Sequence, residues 1–234
     1  MPGDRFGFQR RLASLRVELA EQGARVRGLI ESAAEAVFAL DQHAAQGCER
    51  LDDAIDRADV HIEQACVELL TEATRDGAAL DARQLRGVLT IVKVNNELER
   101  AADAAVAIAL EAAPLARAGQ RVPETFRVLT NSVVGIMRDV VRSFEGEDPA
   151  LARVVLDSED AVEQFRVQLV RDAERRIASG ALTAEQAFAL IELAGLCARI
   201  ADHATNIAEQ VIYLVTGTIV RHTDAGWVDV TGPT

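Results

Sequence analysis

The chain contains the same helical segment twice, and this repeat constrains its fold more than any other feature. Residues 98–109 and 197–208 align without a gap at an offset of 99 residues. They are identical at six positions, which form the pairs Arg100/Arg199, Ala102/Ala201, Asp103/Asp202, Ala105/Ala204, Ile108/Ile207 and Ala109/Ala208. Such a repeat predicts two copies of one supersecondary unit, each burying its apolar face against its neighbours.

Long stretches without proline carry apolar residues at helical spacing. The pattern predicts six helices, over residues 7–41, 44–75, 80–112, 123–146, 149–179 and 183–216. In the second helix the apolar stripe has the heptad spacing that is typical of a bundle seam, with Leu51, Ile55, Ala58, Ile62, Ala65 and Leu69. We therefore predict an all-α protein without a β-sheet, built as two tandem three-helix bundles.

The repeat and the prolines divide the chain into four parts. We expect a first three-helix unit over residues 1–113, a linker over 114–122, and a second unit over 123–217. We expect residues 218–234 to form a C-terminal tail, which is polar over residues 223–234. The tail holds the single tryptophan, Trp227, which could anchor a partner but more often makes modest local packing.

Net charge and cysteine content indicate which partners the chain can bind and which compartment it occupies. The chain has 25 basic and 37 acidic residues, for a net charge of −12. This charge disfavours nucleic acid as a partner, because a phosphate backbone requires a basic face. The three cysteines are far apart in sequence, and neither a signal pattern nor an apolar run of membrane-spanning length is present. These features predict a cytoplasmic protein with reduced, buried cysteines.

Paired carboxylates are the residues best suited to chemistry. Asp52 and Asp56 lie four residues apart on the second predicted helix, and Glu99 and Asp103 do so on the third. Each pair occupies one helix face beside the apolar stripe, so two neighbouring helices can bring four carboxylates together. Clusters of oxygen ligands suit hard cations such as Mg²⁺, Ca²⁺ and Mn²⁺, or iron. The alternative is a solvated acidic surface.

The second repeat carries an incomplete version of this pattern. Glu159, Glu163 and Asp202 occupy the equivalent positions, but Ala198 stands where the first repeat has Glu99. Asn206 and Glu209 lie further along the same face as candidate substitutes. Because affinity for hard cations depends on the number of charged ligands, we expect the first-repeat cluster to bind metal more tightly than the second.

Motifs of catalysis are missing from the sequence. No Glu-x-x-His precedes any of the four histidines, although a ferritin-like di-iron oxidase requires that motif. The sequence also lacks a glycine-rich phosphate loop, a G-x-S-x-G motif and zinc-ligand spacing. We therefore expect a protein that is not an enzyme, and keep a carboxylate-bridged metal-binding helical protein as an alternative.

Residues 196–222, and more loosely residues 97–103, resemble the two signature segments of the PhoU family, the regulators of bacterial phosphate uptake. The resemblance covers almost the whole chain. It implies two packed three-helix bundles and multinuclear surface metal sites built from acid-x-x-x-acid pairs, with iron, zinc, manganese and magnesium as candidate metals. Carried over to this chain, the implied ligands are Asp52, Asp56, Glu99, Asp103, Glu159, Glu163 and Asp202.

The same resemblance implies partners. Family members repress phosphate-starvation genes when phosphate is plentiful, as adaptors between the ATPase subunit of the phosphate ABC transporter and a sensor histidine kinase. Such a protein would reach the membrane through its partners. The alternative within the family is an accessory subunit of a low-affinity phosphate symporter. We also expect a homodimer, because elongated bundles with alanine-rich flat faces pack readily against each other.

Overall fold

The structure, a computed structural model, describes residues 5–223 and 226–230. Its helices are α1 (Arg5–Ala39), α2 (Gln42–Arg75), α3 (Ala82–Leu110), α4 (Ala112–Arg117), α5 (Glu124–Gly146), α6 (Pro149–Asp157), α7 (Glu159–Ala178) and α8 (Ala184–Thr216). Two strands follow, β1 (Ile219–Thr223) and β2 (Gly226–Val230).

The long helices form two bundles that share an interface. Helices α1, α2 and α3 pack against one another as the first bundle, and α5, α6, α7 and α8 form the second. Helix α3 packs along α8 and α1 packs along α5, which joins the two bundles. The predicted all-α fold of two tandem three-helix bundles is therefore confirmed. None of the described helices is long and apolar enough to cross a membrane.

Small and aliphatic side chains fill the interior. Alanine, valine, leucine and isoleucine supply most of the buried residues, as the low aromatic content requires. On α2 the predicted seam is buried at Ile55, Ile62 and Leu69, whereas Leu51 at its beginning is exposed. All three cysteines are buried and unpaired, so they pack as small apolar residues.

Ser158 divides the fifth predicted helix into two. Helix α6 ends at Asp157 and α7 begins at Glu159. The hydroxyl of Ser158 donates a hydrogen bond to the carbonyl of Val154 at 2.8 Å, but Ser132 makes the same bond to Val128 inside the unbroken helix α5, so this contact alone does not explain the break. No glycine or proline marks the position, so the sequence offered no breaker at this point.

The C-terminal tail contains a β-hairpin, so the prediction of a protein without a β-sheet is wrong there. Strands β1 and β2 are antiparallel, with Ile219 opposite Val230 and Arg221 opposite Val228. Strand β1 packs on α8, and Val220 is completely buried. The side chain of Trp227 lies outside the described residues, although its backbone is part of β2. Burial of Val220 supplies the packing that an isolated two-stranded sheet lacks.

Candidate functional site

The carboxylates of the first repeat are neighbours in the structure. Asp52 on α2 lies close enough to Asp103 on α3 that, after burial as the main cause, the charges of Asp56 and Asp103 help to raise the pKa of Asp52. The charges of Asp103 and Asp56 likewise help to raise the pKa of Glu99 above its ordinary value, after burial as the main cause. Packing of α2 on α3 thus brings together the four acids that the sequence pattern singles out.

Among these four acids, Asp52 has the most strongly shifted pKa. Burial, followed by the negative charges of Asp56, Asp103 and Asp53, raises the pKa of Asp52 to about 6. Its Oδ1 atom is buried and has no hydrogen-bond partner among the described residues. An ionised carboxylate in such a position is unfavourable until a proton or a cation neutralises it.

Asp59 extends the cluster and was missed by the pair analysis. Its pKa is raised by burial and by the charges of Glu63 and Asp56. The side-chain amide of Asn95 on α3 donates hydrogen bonds to the backbone carbonyl of Asp59, at 2.9 Å, and to its carboxylate. The sequence signal was available, because Asp52, Asp56, Asp59 and Glu63 form a run at helical spacing along α2.

The second-repeat acids are arranged differently, because an arginine lies among them. Arg166 forms a bidentate ion pair with Glu163, with N–O distances of 2.7 and 2.6 Å. This hydrogen bonding lowers the pKa of Glu163. Burial raises the pKa of Asp202, while the nearby positive charge of Arg166 opposes that rise. Glu163 is therefore already neutralised by a cationic side chain.

The remaining second-repeat candidates face other partners. Glu159 lies close enough to Glu209 on α8 that its charge helps to raise the pKa of Glu209, after burial. Glu209 accepts from Arg221 of β1, and the amide of Asn206 donates to Glu97 of α3 at 3.0 Å. Neither Asn206 nor Glu209 therefore takes the place of the acid missing at Ala198.

The donor set of the first repeat fits a cation better than that of the second. Within residues 5–223 and 226–230, no three His, Cys, Asp or Glu side chains converge on one point as metal ligands. Ligation by the first-repeat acids would therefore require their side chains to rotate on the bundle surface. The buried, unpartnered oxygen of Asp52 and the mutual repulsion around it favour such a cation, whereas Arg166 disfavours one beside Glu163.

A partly buried polar contact joins the two bundles. Nδ1 of His203 on α8 and Oε2 of Glu97 on α3 share a hydrogen bond of 2.8 Å, with side chains only 14% and 18% exposed. Burial raises the pKa of Glu97, but the hydrogen bonds from His203 and Asn206 outweigh it and leave the pKa below its usual value. His203 is thus a hydrogen-bonded interface residue.

Comparison with known proteins agrees with this architecture. The family model of the PhoU domain matches residues 19–112 and 126–211, one match in each bundle. A phosphate-specific transport system accessory protein PhoU homolog from Pseudomonas putida is 30% identical, over 92% of this chain and 83% of its own length. The PhoU homolog 1 of the same description from Thermotoga maritima is 27% identical, over 92% of this chain and 91% of its own.

A solved structure shows the same fold. The crystal structure of PhoU from Pseudomonas aeruginosa superposes with a TM-score of 0.84 at 27% sequence identity, over 90% of this chain and all of that one. Matches of the family model to both bundles cover most of the chain, and the relatives match along nearly all of it. The chain therefore belongs to the PhoU family.

Proposed function

We propose that this chain is a regulatory accessory protein of a phosphate transport system, and that it represses phosphate-starvation genes when phosphate is plentiful. One observation carries the proposal: relatives described as accessory proteins of the phosphate-specific transport system match 92% of the chain, across both bundles. The sequence supplies no catalytic motif, which supports a binding role over an enzymatic one.

We infer further that the chain acts in the cytoplasm as an adaptor between the ATPase subunit of the phosphate ABC transporter and a sensor histidine kinase. Two long bundles offer separate surfaces on which two partners can bind at the same time. The net charge of −12 opposes direct binding of phosphate, so sensing through protein partners is the simpler scheme. A homodimer belongs to the same proposal, and light scattering across micromolar concentrations tests it.

The first-repeat acids would serve this role as a cation site. Asp52, Asp56, Glu99 and Asp103 would hold iron, zinc, manganese or magnesium at the seam of α2 and α3. A bound cation would neutralise the repulsion that raises the pKa of Asp52 and would tie the two helices together. The support is the buried, unpartnered oxygen of Asp52.

A gene deletion tests the regulatory role. Expression of a phosphate-starvation reporter should rise in phosphate-rich medium when the gene is deleted, and a wild-type copy should restore repression. Continued repression in the deletion strain would contradict the proposal. A matched strain carrying the gene with an early stop codon controls for effects of the DNA deletion on neighbouring genes.

A pull-down from phosphate-replete cells tests the adaptor scheme separately. Mass spectrometry should recover both the transporter ATPase subunit and a sensor kinase with the tagged chain. Recovery of a phosphate symporter without the ATPase subunit would instead support the symporter accessory role. Recovery of none of these proteins would remove the adaptor scheme.

A further inference from the structure

A polar cleft of about 460 Å³ lies over α3, between α2 and α8. It sits where the two bundles meet, at the Asp59 end of the acidic run on α2 and away from Asp52. Helix α2 contributes two of its acids, α3 its floor, and α8 the opposite wall, with lining residues that include Asp59, Glu63, Lys93, Asn95, Glu209 and Gln210. Neither the fold nor the proposed cation site uses this space.

The floor of the cleft contains a buried acceptor without a donor. Asn95 is only 1% exposed, and both of its amide hydrogen bonds run to oxygens of Asp59. This fixes the orientation of the amide, because the opposite flip would set the carbonyl oxygen of Asn95 against those oxygens. Oδ1 of Asn95 is then buried with no hydrogen-bond partner among the described residues. Buried acceptors of this kind normally have a donor.

The wall formed by α8 presents a second acceptor of the same kind. Oε1 of Gln210 is buried and also lacks a hydrogen-bond partner among the described residues. Around these two amide oxygens lie the carboxylates of Asp59, Glu63, Glu97 and Glu209, with Lys93 as the basic side chain among the described lining residues. Arg221 already pairs with Glu209 and His203 with Glu97, which leaves Asp59 and Glu63 on α2 without a cationic partner among the described contacts. The cleft therefore calls for a ligand that carries several N–H donors and a positive charge, and it opposes an anion such as phosphate.

The chain itself shows how a guanidinium group binds at this wall. Arg221 of β1 reaches back to the carboxylate of Glu209, which is only 13% exposed, and donates a hydrogen bond to it. Guanidinium presents five donors in a planar fork, which suits acceptors spread over two walls better than the point charge of an ammonium group. A metal ion fits less well, since the positive charge of Lys93 lines the cleft and Glu209 is already paired with Arg221.

We propose that this cleft receives an arginine side chain from a segment of a partner protein. The volume exceeds that of one guanidinium group, which leaves room for the flanking backbone of the segment. Glu63 would pair with the charge, and the amide oxygens of Asn95 and Gln210 would accept its N–H groups. The site is a property of the chain itself and does not depend on the regulatory role proposed above.

Fluorescence anisotropy on the full chain tests this proposal at physiological salt. The probe is a fluorescein-labelled Gly/Ser peptide with two arginines, compared with the same peptide carrying citrulline, which keeps the shape and loses the charge. We expect Glu63→Gln and Gln210→Leu each to weaken binding of the arginine peptide about tenfold, the usual effect of losing a hydrogen bond to a charged group. The parent chain should bind the citrulline peptide no more tightly than the two variants bind the arginine peptide.

Glu174→Gln is the matched control, because Glu174 is exposed on α7 outside the cleft and its loss changes the net charge equally. It should leave binding unchanged. Equal weakening by Glu174→Gln, or equal binding of the citrulline peptide, would reduce the effect to general attraction by an acidic protein and overturn the proposal. If free arginine competed as well as the peptide, the cleft would bind the amino acid itself, and the proposal of a partner segment would be wrong. Inorganic phosphate should not compete. Glu63 is exposed, so Glu63→Gln tests the site even if Gln210→Leu fails to fold.

Discussion

Arg166 of α7 occupies the repeat position that Asp59 holds in α2, so the two copies carry opposite charges at one place in the fold. The second and fifth predicted helices align at an offset of 107 residues, which superimposes these two positions. Asp59 adds a negative charge beside Asp56, whereas Arg166 neutralises Glu163. The two repeats share a backbone arrangement and differ in electrostatics, which makes the candidate cation site a property of the first copy.

Removal of one acid from each repeat should have unequal effects on metal binding. Asp103→Ala should release most of the metal that remains bound after dialysis, because it removes a charged ligand from the four-acid cluster. Asp202→Ala should release little, since Arg166 already lies beside Asp202. Elemental analysis of both proteins measures the difference.

Thermal melts give an independent reading of the same asymmetry. Added cation should raise the Tm of the parent protein by mass action. At a cation concentration of a hundred times Kd, the free energy of unfolding should increase by about 2.7 kcal/mol. Asp103→Ala should lose most of that rise and Asp202→Ala should keep it. Equal metal loss from both variants, or a parent Tm indifferent to metal, would favour a solvated acidic surface.

Asp52 should make the metal-free protein less stable as pH rises. Its pKa is about 6 in the folded chain and near 3.8 when unperturbed, so the folded state binds the proton more tightly. Stability from this group is complete below about pH 4 and is lost as pH rises through about 6. Asp52→Asn should therefore stabilise the metal-free protein at pH 7, by on the order of 1 kcal/mol after solvent screening, and not at pH 4.

Glu163→Gln is the matched control for Asp52→Asn, because Arg166 lowers the pKa of Glu163. Its folded-state pKa lies below the ordinary value, so its contribution is present at neutral pH and is lost as pH falls through that folded-state pKa. Glu163→Gln should thus slightly destabilise the protein at pH 7. Denaturant titrations at pH 4 and pH 7 compare the two variants, and the same sign of change at pH 7 for both would contradict the scheme.

The second repeat should acquire a cation site when its two departures from the first are reversed together. Ala198→Glu restores the fourth acid, and Arg166→Asp removes the ion pair with Glu163 and restores the charge of Asp59. The double variant should bind additional metal by calorimetry. Ala198→Glu alone should not, because Arg166 still neutralises Glu163. Gain of a site by the single variant would show that Arg166 is no obstacle.

The contact between Glu97 and His203 should contribute measurably to the stability of the interface between the bundles. His203→Ala removes a hydrogen-bond donor from the partly buried carboxylate of Glu97 and leaves Asn206 as its remaining partner from α8. We expect a loss of about 1–3 kcal/mol in the free energy of unfolding. Exposed His61→Ala on α2 is the control and should change it by less than about 0.5 kcal/mol.

Apolar periodicity and the repeat predicted the bundles because both reflect burial along one helix at a time. The starts of two helices follow the same local logic, since Thr183 and Gln186 form a capping box on α8 and Asp148 caps α6 ahead of Pro149. The break at Ser158 was not predicted, because nothing in the local sequence forbids a continuous helix there. The hairpin was not predicted, because two short strands become stable only through packing on α8.

The candidate site was predictable only in part, for a physical reason. Spacing along α2 and α3 placed Asp52, Asp56, Glu99 and Asp103 on facing surfaces, and the structure brings them together. Which oxygen lacks a donor depends on side chains from other helices, so the unpartnered Oδ1 of Asn95 had no sequence signal.

Equivalent helices of the two repeats pack on each other, α1 on α5 and α3 on α8. Helices α3 and α8 run antiparallel, since Glu97 meets His203 while Glu111 lies near Glu192. This is the geometry of an isologous twofold interface, now joined into one chain by duplication. A symmetric dimer of one repeat would have to make every contact twice. The fused chain need not. The repeat counterparts of Glu97 and His203 are Leu196 and Ala104, which are buried apolar residues. A single chain can therefore carry a hydrogen-bonded polar pair at one of two equivalent positions and apolar residues at the other.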